Sequence, residues 1–233
     1  MESSSEVSLH EQQVWVPAGA VNLEGNLSIP AGARGIVLFA HGSGSSRHSP
    51  RNRFVAQSLQ NAGLGTLLID LLTADEEMED TASARLRFDI GLLAERLVAA
   101  TDWLAGEDRT ADLRLGYFGA STGAGAALVA AAERPTHVGA VVSRGGRPDL
   151  AGPALSQVQA PTLLIVGGRD YPVIDMNRDA FQQMGTRVKE LVIVPGATHL
   201  FGEPGALEEV ARLASAWFAR HMSRHESRAR QHG

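Results

Sequence analysis

The chain has 233 residues, 44% of them hydrophobic, no cysteine, and a formal net charge of −5. That length suits one domain around a single substantial core, and the acidic balance excludes a basic nucleic-acid footprint. The absence of cysteine excludes disulfides, thiolate nucleophiles and thiolate metal sites.

The opening, Met1 to Glu6, has no basic region leading into an apolar run, and no stretch approaches the ~20 apolar residues that cross a bilayer. A cytoplasmic protein without membrane insertion is expected. Residues 1–13 are expected to be a flexible segment ahead of a single domain at 14–221. Val14 to Val16 and Val21 to Ile29, joined through Pro17-Ala18-Gly19, have the alternation and turn residues of an antiparallel pair at a sheet edge. Gly35 to Ala40, Gly65 to Asp70, Leu113 to Phe118, Val138 to Val142, Thr162 to Val166 and Leu191 to Val194 are short apolar runs, as in strands buried on both faces.

Between these runs lie helical patterns. Leu86, Ile90, Leu93, Leu97, Ala100 and Leu104 recur at spacings of four and three, which predicts a helix over Arg85 to Leu104. Asp75-Glu76-Glu77-Met78-Glu79-Asp80 lacks the glycine and ligand alternation of a calcium loop and is expected to be a solvated loop. Leu207, Val210, Ala211, Ala214, Trp217 and Phe218 form the stripe of a closing helix after Pro204. His221 and His225 lack the partners of a zinc motif and are expected at the surface. Residues 222–233 carry almost nothing apolar and are expected to be a disordered tail. Strands alternating with helices require right-handed crossovers, so the expected fold is α/β, a mostly parallel central sheet with helices on both faces.

The motif with most chemistry is Gly119-Ala120-Ser121-Thr122-Gly123, between a strand and a helix. Composition alone supplies about 0.2 such pentapeptides by chance, so its flanks must decide. Both flanks are those of a nucleophile elbow, in which a strained turn lifts the serine hydroxyl above the sheet and a helix N-terminus faces it. Ser121 needs a base, and His199, in Pro195-Gly196-Ala197-Thr198-His199 after a strand, is the candidate. Asp170, closing Gly167-Gly168-Arg169-Asp170 after another strand, is the candidate orienting carboxylate, with Asp175 as substitute if it does not cap the next helix.

An oxyanion hole needs two donors. The Thr122 amide is one, and the loop His41-Gly42-Ser43-Gly44-Ser45-Ser46 offers Ser43 N–H, or Gly42 beside it. His41 itself suits a structural hydrogen-bonding role. Arg144, past a strand end in Ser143-Arg144-Gly145-Gly146-Arg147, can hold a substrate carboxylate; pairing of these arginines with Asp149 or the acidic stretch is the alternative. Tyr171, next to Asp170, is a further candidate substrate contact.

Taken together, His41-Gly42-Ser43-Gly44, the Ser121 elbow, Gly168-Arg169-Asp170 and Gly196-Ala197-Thr198-His199 resemble an α/β-hydrolase of the dienelactone hydrolase-like group, over about residues 14 to 220. The resemblance implies cofactor-independent ester hydrolysis with Ser121, His199 and Asp170 as triad. Dienelactone hydrolases proper carry a cysteine where this chain has Ser121, which turns the expectation toward a serine carboxylesterase. Only Ser143 to Ala160 separate two strands where larger relatives insert a lid, so no large cap domain is expected and the pocket should be open. No metal and no cofactor are expected, and the partner is a small-molecule ester. Thioester or lactone cleavage at the same triad, a non-catalytic ligand receptor on this fold and, from the glycines 119, 123 and 125, a dinucleotide-binding turn remain as alternatives.

Overall fold

The computed structural model describes residues 11–222. Eight strands form one sheet: β1 Gln12–Ala18, β2 Val21–Ser28, β3 Gly35–Ala40, β4 Gly65–Ile69, β5 Arg114–Ala120, β6 Val138–Arg144, β7 Thr162–Gly167 and β8 Lys189–Val194. Their spatial order is β1-β2-β4-β3-β5-β6-β7-β8. β1 and β2 are antiparallel, β2 joins β4 antiparallel, and every pairing from β4 to β8 is parallel. The leading pair thus forms one edge, as its alternation requires. β1 begins at Gln12, inside the segment expected to be flexible; residues 1–10 of that segment and all of the expected tail but Met222 lie outside the described residues.

The described residues hold six α-helices: α1 Pro50–Asn61, α2 Ala74–Ser83, α3 Ile90–Gly106, α4 Thr122–Glu133, α5 Tyr171–Gln183 and α6 Ala206–His221. Leu93, Leu97 and Leu104 of α3, the alanines of α4 and Ala180 of α5 pack on one face of the sheet. Val55 and Leu59 of α1 with Val210, Ala214 and Phe218 of α6 cover the other. Phe39 and Phe118 face each other across adjacent strands at the centre of this second layer, ring centroids 4.9 Å apart, an arrangement that adds to simple burial. Among the described residues no helix is long and apolar enough to cross a membrane.

Two local readings are corrected. The acidic stretch is α2 rather than a loop. Thr73 and Glu76 form a reciprocal capping box, and Asp75, Glu76 and Glu77 occupy the first turn, where the helix dipole favours them. The helix expected from Arg85 is divided: a 3-10 turn at Leu86–Phe88 precedes α3, whose cap is Asp89, its carboxylate accepting from the Leu92 amide at 3.0 Å. The β6–β7 connection holds only a 3-10 segment, Pro148–Gln157, packed on α4 and α5.

Candidate active site

Parallel strands in register end at one edge, and the site is built there. Ala40 at the end of β3 pairs with Gly119, Ala120 pairs with Arg144, and Gly167 pairs with Val194. The loops that follow β3, β5, β6, β7 and β8 therefore meet.

Ser121 adopts φ 51° and ψ −124°, a conformation a side chain rarely takes, and its hydroxyl is not used to cap α4. The turn fits only because its flanks are bare. A Cβ on Gly119 would sit 2.5 Å from Ala124 Cα, and one on Gly123 would sit 2.3 Å from the Ala40 carbonyl oxygen. Hydrogen bonds pin the strained residue: its N–H donates to Arg144 O at 3.3 Å, and its own carbonyl accepts from Arg147 N–H at 3.0 Å.

His199 Nδ1 lies 2.6 Å from Asp170 Oδ2. Asp170 stands at the N-cap position of α5, yet its carboxylate makes no capping hydrogen bond and is left for the imidazole. The loops carrying the two residues are locked together: Arg169 N–H donates to Ala197 O at 2.9 Å, and a Cβ on Gly167 would lie 2.5 Å from that same oxygen. Asp175, the substitute, is neither orienting group nor cap; it lies inside α5, exposed, with Arg178 as its ion-pair partner at 3.4 Å.

The hydrogen bonds among the described residues do not include one between Ser121 and His199. Both nevertheless border the Arg144–Arg147 segment, since a Cβ on Gly145 would fall 3.5 Å from His199 Nδ1. Catalytic hydrogen bonds are often long before substrate arrives and tighten with it.

On the other side of the elbow, Ser43 N–H donates to Thr122 Oγ1 at 3.0 Å, and the two hydroxyls are 3.0 Å apart. The Ser43 amide, the first choice for an oxyanion donor, is therefore engaged with the threonine hydroxyl in this structure. Gly42 presses closely on the nucleophile, a Cβ there lying 2.8 Å from Ser121 Cβ. His41 is bonded at both ring nitrogens, Nε2 to the Leu71 amide at 3.1 Å and Nδ1 to Gly42 O at 3.0 Å. That pattern requires the proton on Nδ1 and leaves the ring to hold the loop.

A cleft of about 280 Å³ opens beside Ser43 and Thr122, with Leu72 and Leu93 as its apolar lining and α2 as its outer wall. The wall is fixed by Asp80, buried and ion-paired with Arg87. No residue of α2 had been singled out as part of a site; the signal was the Thr73–Glu76 capping box. Tyr171 is the first residue of α5, 69% exposed beside Asp170. Arg147 pairs with Asp149 at 2.7 Å, whereas Arg144 is buried and makes no such pair. His221 is half-buried against the Trp217 ring, and His225 lies outside the described residues.

A family model described as PET hydrolase-like matches residues 63–231. The crystal structure of a dienelactone hydrolase from Anabaena variabilis is 67% identical, covers 92% of this chain and 99% of its own, and superposes with a TM-score of 0.90. Est1E from Butyrivibrio proteoclasticus, 15% identical with a TM-score of 0.75 over 90% of this chain and 98% of its own, shares the fold. Two Mycobacterium tuberculosis proteins named as phosphoribosyl transferases are 57% identical over 222 residues, 95% of this chain and 49% of theirs. The chain thus spans about half the length of the curated relatives it matches.

Proposed function

The chain belongs to the PET hydrolase-like family and is a dienelactone hydrolase-like α/β-hydrolase; from that premise we propose that it is a serine hydrolase of carboxylic esters working through an acyl-enzyme. The observation that carries this reading is the strained Ser121, at φ 51°, on the same sheet edge as the 2.6 Å His199–Asp170 pair.

Asp170 accepts a hydrogen bond from His199 Nδ1–H, which leaves Nε2 free to take the proton of Ser121 as its oxygen attacks the ester carbonyl. Negative charge then develops on the carbonyl oxygen, at the N-terminus of α4, where the Thr122 amide is one donor. Ser43 N–H is the second once substrate draws it from Thr122 Oγ1, with Gly42 N–H as the alternative. The protonated His199 gives its proton to the leaving alcohol, and a water activated by the same histidine releases the acid. No cofactor or metal enters these steps. The cleft walled by α2 receives a small or exposed ester, and Tyr171, exposed beside Asp170, is a candidate contact to it.

A second reading, lactone opening, is favoured by the 67% identity to a protein named dienelactone hydrolase. A lactone is an internal ester, so the same five groups perform the same steps. The phosphoribosyl transferase in the name of the mycobacterial relatives we assign to the half of those proteins that this chain does not span. The test is steady-state and burst kinetics on short-chain p-nitrophenyl esters. Turnover with an initial burst of nitrophenol that is lost in Ser121→Ala supports the reading, and binding without turnover overturns it.

A further inference from the structure

α5 turns one stripe inward, Val173, Ile174, Asn177 and Ala180, and Asn177 is its polar member. The residue is fully buried. Its Nδ2 donates to Val173 O, one turn back in the same helix, at 2.8 Å, and to Gly146 O, in the loop after β6, at 3.0 Å. Both partners are carbonyl oxygens, so the amide can only face them nitrogen first. That leaves Oδ1 buried without a hydrogen-bond partner. A buried amide oxygen left alone is destabilising, and a leucine would fill this apolar stripe without that cost. The asparagine is therefore explained by what it holds rather than by its packing.

What it holds is the segment that cradles the nucleophile. Ser121 N–H donates to Arg144 O at 3.3 Å and Ser121 O accepts from Arg147 N–H at 3.0 Å, so the strained residue hangs on 144–147 from both sides. Within that segment Gly145 lies against His199, and its N–H donates to Ile165 O of β7 at 2.7 Å. Gly146 is wedged against α4, since a Cβ there would collide with Ser143 Oγ and Ala124 Cβ. Asn177 takes hold of the Gly146 carbonyl from α5. It stands two helical turns after Asp170, the N-cap of that helix, and so on the same side of it. One side chain thus ties the helix that begins at the acid to the loop that holds Ser121 and touches His199.

We propose that Asn177 is a positioning residue of the active site: by holding Gly146 O it fixes the 144–147 cradle, and through the cradle the place of Ser121 relative to the His199–Asp170 pair. It touches neither substrate nor reacting atoms. Its effect on turnover rests on the proposed role of Ser121 as nucleophile, whereas the brace on the backbone does not.

The test compares Asn177→Leu with Thr101→Val, which gives up a different buried hydrogen bond, to Tyr117 Oη between α3 and β5. Asn177→Leu is expected to lower kcat on p-nitrophenyl butyrate, and the rate of phosphonylation by a fluorophosphonate, about tenfold, with KM within about twofold. Amide exchange at Ser121 and Arg147 quickens in the same variant. Thr101→Val lowers the melting temperature and leaves kcat, phosphonylation and exchange at those two amides as in the wild type. Wild-type rates in Asn177→Leu, or an equal loss of rate in Thr101→Val, overturn the proposal. If Asn177→Leu does not fold, Asn177→Asp carries the test, because it keeps the shape and sets a carboxyl with at most one donor against two carbonyl oxygens. The same fall in kcat at constant KM is expected there, and a wild-type kcat overturns the proposal. A wild type that neither turns over the ester nor takes the phosphonate overturns the esterase reading alone. Exchange then decides on the brace, and unchanged exchange at Ser121 and Arg147 in the Asn177 variant overturns that as well.

Discussion

His199 and Asp170 are 29 residues apart in the chain and 2.6 Å apart at the edge of the sheet, joined through Nδ1 and Oδ2. The carboxylate stands where a helix cap would, yet caps nothing, so the contact with the imidazole is what that side chain does. Asp170→Asn keeps the shape but replaces one carboxylate oxygen with an NH2 donor and removes the charge, so the wrong imidazole tautomer is favoured. It is expected to lower kcat by roughly 10³–10⁴-fold on short-chain esters, whereas Asp175→Asn, exposed on α5, leaves kcat within about twofold. The two variants assayed side by side settle which carboxylate orients the base.

Thr122 Oγ1 ties the amide and the hydroxyl of Ser43 to the residue whose own amide is the proposed first oxyanion donor. Thr122→Val preserves volume and cuts the tie, so the loop loses its alignment with the α4 N-terminus. A net hydrogen bond of about 1 kcal/mol corresponds to an expected fall in kcat of around fivefold, with KM little changed. A rate unchanged or raised would mean that the hydroxyl merely occupies the Ser43 amide, and would assign the second donor to Gly42.

Gly123→Ala would force a Cβ to 2.3 Å from Ala40 O and 2.4 Å from His41 O. These are backbone atoms and cannot swing aside, so the elbow must move away from the β3 loop. The expected cost is about 1–3 kcal/mol of stability, read as a lower melting temperature, together with a large loss of turnover. A variant with wild-type melting and activity would contradict the packing described here.

Acid should loosen the wall of the cleft. Burial works against ionised Asp80, but hydrogen bonds from the Arg87 side chain and from the Arg87 and Leu86 amides outweigh it and hold the carboxyl below its ordinary range. A depressed value in the folded state means that the unfolded chain takes up this proton first. The contribution is therefore present above about pH 4 and is lost as pH falls through the depressed value. The gap in melting temperature between wild type and Asp80→Asn should be full near neutrality and close in acid; a gap constant with pH would show that the pair carries none of it.

The strands and the elbow were legible because each leaves a local mark: apolar runs between breakers for buried strands, and glycines two residues either side of Ser121 for a turn that tolerates no Cβ. Other features depend on partners distant in sequence. The acid density of Asp75 to Asp80 hid a helix whose capping box, Thr73 with Glu76, was the better signal. Asp175 resembled a cap because the start of α5 was not placed at Tyr171, although Pro172 marks a helix's first turn. Arg144 and Arg147 are three residues apart, and only the fold gives Asp149 to one and leaves the other without a carboxylate.

The central claim is that Ser121 is an activated nucleophile, and labelling with a fluorophosphonate followed by peptide mass spectrometry tests it most directly. The account predicts a single phosphonate adduct on Ser121 in the wild type, none in Ser121→Ala, and slowed labelling in His199→Ala. A folded wild-type protein that takes no adduct, or takes it on another residue, would contradict it.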